Sequence, residues 1–206
     1  MASSGPNSCG TGVNDATSGT IAWTNPGNIT ASDDSRATSM LGIGEDTQLL
    51  VATNFGFAID ATATIVGVVV EWEKSCVGQV DDRLLTLWKT GASVGDDKAT
   101  AGSWPTPTDA YVTYGGIADL WGLSGTLTPA YINASDFGVM ISAVEASGLG
   151  GLARVDHCRM TVYFTESAAT FQRMQMPHIP IRPQEVVAYK RELKSQTRYG
   201  DIQVEI

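Results

Sequence analysis

Apolar and polar residues alternate with a period of two through much of this chain. Over residues 64–73, Val66, Val68, Val70 and Trp72 fall on one face, while Ile65, Gly67, Val69, Glu71 and Glu73 fall on the other. A strand with one buried face has this pattern, and it makes Trp72 a core residue. Residues 153–165 repeat it, with Cys158, Met160, Val162 and Phe164 opposite His157, Arg159, Thr161 and Tyr163. Shorter runs at 21–24, 47–52, 55–59, 83–89 and 137–143 read as further strands. Between them lie Asn-Pro-Gly, Asp-Asp, Gly-Gln-Val-Asp-Asp, Gly-Asp-Asp and Gly-Gly clusters, whose positive φ values and Asx turns reverse a chain. No 3.6-residue apolar stripe is sustained in this region, so little helix is predicted. About eight unevenly spaced strands predict an all-β fold, an antiparallel β-sandwich that is jelly-roll-like.

The pattern changes after residue 165, which divides the chain into an N-terminal segment (1–18), a sandwich domain (19–165) and an extended C-terminal arm (166–206). The arm carries three prolines in PHIPIRP, each fixing φ and biasing its predecessor away from helix, so an extended, polyproline-like path is predicted there. Residues 184–195 are good helix formers, and Ile202, Val204 and Ile206 then share one face of a prospective strand. An arm this poor in large apolar residues cannot build its own core. It is expected to order on a neighbour, where a terminal strand adds to an exposed sheet edge. The candidate docking residues are Phe171, Met174, Met176, Ile179, Ile181, Val186, Val187, Tyr189, Leu193, Tyr199, Ile202, Val204 and Ile206.

Charge sharpens the division. Residues 1–165 hold seven Lys/Arg against seventeen Asp/Glu, a net of −10, whereas 166–206 hold six against five, a net of +1. An acidic body repels nucleic acid and anionic membrane, so neither is expected as a partner. The basic residues of the arm, Arg173, Arg182, Lys190, Arg191, Lys194 and Arg198, suit an acidic protein groove or a solvated charge run. Cys9, Cys76 and Cys158 show no CxxC spacing and are odd in number, so free thiols are expected. The opening MASSGPNSCG has neither a charged n-region nor an apolar h-segment, and synthesis in a bacterial cytoplasm is expected.

Candidate chemistry is sparse. Trp104, Tyr111, Tyr114 and Trp121 stand in loop-like text and form a candidate loop binding surface, since such rings stack on sugars or fill protein interfaces. Loop-pinning is the competing reading of the same residues, and of Trp23. Asp33-Asp34, Asp81-Asp82 and Asp96-Asp97, with Asp109 and Asp119, could ligate calcium, but their spacing matches no calcium loop and Asx turns account for each pair. No metal or cofactor is therefore expected. His157 and His178 are the only histidines, and the strand neighbours Asp156 and Cys158 point away from His157, which leaves no relay. Without GxSxG, HExxH, P-loop or dinucleotide fingerprint, the chain is read as non-enzymatic.

The segments GTIAWTNPGNITASDDSRATSML, ATNFGFAID, TIVGVVVEWE, DAYVTYGGIADLWG, INASDFGVMI and VDHCRMTVYFT, in that order across residues 19–165, resemble a β-sandwich domain recurrent in tailed-bacteriophage structural proteins and prophage-like bacterial proteins. The resemblance implies a non-enzymatic virion component with a jelly-roll-like fold, and it brings no catalytic residues. The expected role is an accessory subunit, a capsid decoration or a neck or tail appendage, attached through the arm to capsid, neck or tail proteins. Closed symmetry makes a homo-oligomer, a trimer or dimer, the expected form. A carbohydrate- or host-receptor-binding module of a tail fibre, recognising a host surface glycan, is the alternative. A glycan depolymerase is a distant third.

Overall fold

A computed structural model describes residues 1–166 of the chain. They form ten strands: β1 (Ala2–Ser8), β2 (Thr11–Asp15), β3 (Ala37–Leu41), β4 (Leu49–Thr53), β5 (Thr64–Val77), β6 (Val80–Lys89), β7 (Ala92–Val94), β8 (Ala110–Gly116), β9 (Gly138–Glu145) and β10 (Gly151–Thr165). Helix is limited to a 3-10 turn at Pro26–Ile29 and the single-turn α1 at Pro129–Ile132. All strand pairings are antiparallel. One sheet runs β1-β10-β5-β8, with β3 sharing the β1 edge of β10; the other runs β2-β4-β9-β6-β7. The predicted all-β, two-sheet antiparallel architecture is the observed one. Among the described residues no helix is long and apolar enough to cross a membrane.

The core lies between the sheets. Val68, Val70 and Trp72 of β5 and Cys158, Met160 and Val162 of β10 meet Leu85 and Leu87 of β6, Val139 and Ile141 of β9, and Leu50 and Ala52 of β4. These are the residues that the period-two pattern turns inward, as a half-buried sheet requires. One phase correction occurs in β5. The pairing with β10 shifts register between Gly67 and Ile65, and this irregularity turns Ile65 into the core while Val66 is only half-buried. Strand β4 is buried on both faces, because Leu49 and Val51 pack with Met140 and Trp88 outside the second sheet. A strand covered on both sides reads as an apolar run rather than an alternation.

Several segments depart from the sequence reading. Strands β3, β7 and β8 fall outside the predicted strand runs, and Tyr111 and Tyr114 stand on β8 rather than in a loop. Residues 1–18 are not a separate segment: β1 pairs with β10 from Ala2 opposite Phe164 to Ser8 opposite Arg159, and β2 pairs with β4. ASSGPNS has no apolar alternation because an edge strand lying on β10 is held by backbone bonds rather than by burial. Residues 55–59 are extended but belong to no strand. Phe55, Phe57 and Ile59 still alternate into the core, while side-chain amides take the place of a ladder: Asn7 Nδ2 donates to Phe55 O, Asn133 Nδ2 donates to Ile59 O and Ile59 N donates to Asn133 Oδ1. Residues 21–24 contribute only isolated bridges, Ile21 to Thr47 and Thr24 to Thr38. The predicted arm, 166–206, lies outside the described residues beyond Glu166, as do all thirteen of its candidate docking residues.

Candidate docking surface

The four candidate aromatics, two of them (Tyr111 and Tyr114) on β8, do not share a surface. Trp104, Tyr114 and Trp121 are buried, which corrects the expectation of an exposed stacking platform for these three rings. Trp121 donates its indole N–H to Val68 O, pinning the 117–127 loop to β5. Trp104 and Tyr114 instead close around a charged pair inside the sandwich. Lys74 of β5 lies on the core side and pairs with Asp82 of β6, both side chains being almost wholly buried. Asp82 also accepts from Trp104 Nε1 at 2.8 Å, Tyr114 OH at 2.6 Å, and Thr100 N and Oγ1 at 3.2 and 3.0 Å. The ammonium sits 4.4 Å from the Trp104 ring centre. Desolvation brings Lys74 down to about 8, against the pull of Asp82. Burial alone would raise Asp82, but Lys74, Tyr114 and Thr100 together hold it below the usual carboxylate range. With each polar atom of the pair answered, the network is a structural staple.

Tyr111 is half-buried and belongs to a second cluster, on the outer face of the first sheet. Its hydroxyl and His157 Nδ1 share a hydrogen bond of 2.8 Å, and His157 Nε2 shares another with Ser8 Oγ at 2.9 Å. Arg159 lies 3.8 Å over the Tyr111 ring and grips Glu71 through two parallel bonds of 2.9 Å. Burial pushes His157 down, favouring the neutral ring. Both ring nitrogens are thus engaged, and His157 and Cys158 face opposite ways. His178 lies outside the described residues. The acidic pairs act in turns and ion pairs: Asp33 accepts from Ser35 N, Asp97 from Leu85 N and Ala99 N, Asp119 bonds Lys98, and Asp109 bonds Arg36. Among the described residues no three His, Cys, Asp or Glu side chains gather to hold a metal ion. Cys9, Cys76 and Cys158 are free and buried.

Single polar atoms of Glu73, Arg154 and Asp156 on the first sheet are buried without a hydrogen-bond partner, but the largest unpartnered group of whole side chains at the surface is apolar. Met40 on β3 lies opposite Leu152 on β10, which lies opposite Val77 on β5, so the three form one row across three strands. Each falls on the polar phase of its own strand, the outer face. Ile43 and Leu149, from the loops after β3 and before β10, flank this row. Met40 is 68 % exposed, Ile43 72 %, Val77 51 % and Leu149 87 %, four of the seven exposed large apolar side chains among the described residues. Together with Leu41 and Gly42, Gly78, and Gly150 and Gly151, they line a hollow of about 480 Å³. Scattered exposed apolar residues are ordinary, whereas this contiguous group is the candidate docking surface of the body.

Glu145 braces two loops that contribute to this hollow. One carboxylate oxygen accepts from Gly44 N, and the other accepts from Ser147 N, Ser147 Oγ and Leu149 N. The two loops that carry Ile43 and Leu149 are therefore tied to one side chain. The Ser147 hydroxyl and the Gly44 amide, with the further donors, hold Glu145 down to about 2. Glycines complete the rim: Gly78 and Gly150 have positive φ, and a Cβ on Gly78 would meet Gly150 O at 2.8 Å.

Comparison with protein-family models, curated proteins and solved structures returns no match for this chain.

Proposed function

We propose that this chain is a non-enzymatic structural protein of a tailed-bacteriophage virion, an accessory subunit that decorates the capsid or forms part of the neck or tail. It is made in the host cytoplasm, and its 166–206 arm attaches the acidic body to other virion proteins. The observation that carries this reading is the contiguous apolar end of the body, which contrasts with the Lys74–Asp82 network, whose charged atoms are each answered from within the sandwich. A surface of that kind serves contact between chains.

The strand order supports a jelly-roll wiring. Strands β3 to β10 fall into two sets of four, β3-β10-β5-β8 and β4-β9-β6-β7, with the first strand of the eight beside the last. Strands β1 and β2 are appended at one edge of each set. The ordered resemblance across 19–165 points the same way. A glycan-binding role draws less support, since three of its four aromatic residues are interior.

The test is a chain truncated after Thr165, produced during infection in place of the full protein. Particles should then lack the subunit. Normal occupancy by the truncated body would overturn the arm-docking role.

A further inference from the structure

Two of the three buried thiols meet across a strand pair. The β1 ladder ends with Ser8 opposite Arg159, so the next position sets Cys9 opposite Cys158, and Cys9 N donates to Cys158 O at 3.1 Å. Directly opposed residues of an antiparallel pair hold their Cα atoms about 4.5–5.5 Å apart, inside the ~4.4–6.8 Å that a disulfide spans. Both side chains enter the same core cluster, at 1 % and 0 % exposure. There the Cys9 thiol donates to Ile29 O at 3.3 Å, while burial, with the adjacent Cys9 thiol, pushes Cys158 up. Cys76 is too far away to compete. It lies opposite Ala153 on β10, five residues from Cys158, a separation of about 16 Å along the strand.

Cys9 stands at the corner where the chain leaves the first sheet, after Ser8, for the second, at Thr11. Strand β1 is bonded along one edge only, and no side chain of ASSGPNS is buried. A strand with so little core contact lifts at less cost than the strands it lies beside. Lifting β1 brings Cys9 toward solvent, whereas Cys158 stays paired with β5.

We propose that Cys9 and Cys158 form a disulfide site, reduced in a reducing compartment and closed by a low-molecular-weight disulfide. With β1 lifted, the Cys9 thiolate attacks one sulfur of the oxidant, which forms a mixed disulfide and releases one small thiol. As β1 reseats, Cys158 gives up its proton and its sulfur displaces the second small thiol from Cys9. The protein loses two protons and two electrons, and the oxidant takes up both as it becomes two thiols. The new bond closes a loop of 149 residues and fixes the corner between the sheets. The site rests on the fold alone. Its timing rests on the virion reading, since release from the cell moves the subunit from a reducing to an oxidising medium.

The experiment refolds the full chain from denaturant in mixtures of reduced and oxidised glutathione, so that the thiols meet the oxidant before the core shuts. Free thiols are then counted under denaturing conditions, and peptide mapping locates the bond. Protein refolded in reductant should show three free thiols, and the oxidised monomer one, Cys76, with Cys9 linked to Cys158. Cys9→Ser should keep both remaining thiols at the same glutathione ratio. Protein that was never unfolded, warmed in the same mixture so that β1 lifts, should reach the same product. The bond should raise the thermal midpoint by about 10 °C, because so long a loop restricts the unfolded chain. Three free thiols at every ratio, a bond through Cys76, or a lower midpoint in the bonded form would overturn the proposal. If the bond forms while the body truncated after Thr165 fills particles normally, the arm-docking role fails and the site stands. Three free thiols together with loss of the truncated body from particles would have the opposite meaning.

Discussion

Removing one member of the Lys74–Asp82 pair should destabilise the body far more than removing both. Lys74→Met leaves the Asp82 carboxylate with Trp104, Tyr114 and Thr100 as donors but without a cation. Breaking a buried pair costs about 3–5 kcal/mol, and the surviving donors place this variant near the lower figure. Asp82→Leu strands the ammonium with only the Tyr114 hydroxyl and the Trp104 face, which places it near the upper one. At about 2–4 °C per kcal/mol, the thermal midpoint should fall about 6–12 °C in the first variant and 10–20 °C in the second. The double variant should lose less than either, because two apolar side chains leave no buried charge. Calorimetry or circular dichroism melts of the four proteins close the cycle. A pH series adds a sign. Lys74 sits at about 8 when folded and near 10.5 otherwise, so the unfolded chain binds the extra proton between those values. Stability relative to Lys74→Met should therefore rise from about pH 8 to 10.5. Losses that simply add in the double variant, or a Lys74→Met midpoint equal to wild type, would refute the network.

Two further outcomes concern the loops and the thiols. Glu145 titrates at about 2 in the folded body against an ordinary 4.5, so its stabilising contribution is present above pH 4.5 and drains away toward pH 2. Glu145→Gln should flatten the acid limb of the stability curve and speed amide exchange at Gly44 and Leu149 at neutral pH; an unchanged limb would contradict the loop tie. All three cysteines are buried and burial raises the Cys158 thiol, so a thiol reagent should label none in the native protein and three after denaturation. Native labelling at Cys9, Cys76 or Cys158 would show that the core opens.

The two-sheet fold was legible wherever burial imposed alternation. Strands β5 and β10 follow the pattern because each has one face on the core and neighbours on both edges. Strand β1 was not legible, since its sequence owes nothing to a core and its conformation is imposed by β10. Residues 55–59 carried a strand pattern without a strand, because the segment covers the core while Asn7 and Asn133 replace the ladder. The Lys74–Asp82 pair is invisible to a pattern rule that sends charges outward; its meaning depends on a partner supplied by the opposite sheet. The hollow leaves a faint signal. Met40, Val77 and Leu152 are each apolar on the polar phase of their strands, but only the register that aligns them turns three local exceptions into one surface. For the same reason Trp104, Tyr114 and Trp121 looked like loop aromatics, although their rings point into the body.

The account depends most on whether the apolar end is covered when the subunit is in place. An electron-microscopy reconstruction of the intact particle at side-chain resolution measures this directly. Density for another virion subunit lying against Met40, Val77 and Leu149 is the predicted result. A hollow open to solvent in every copy, with all contacts between subunits made elsewhere on the body, would contradict it.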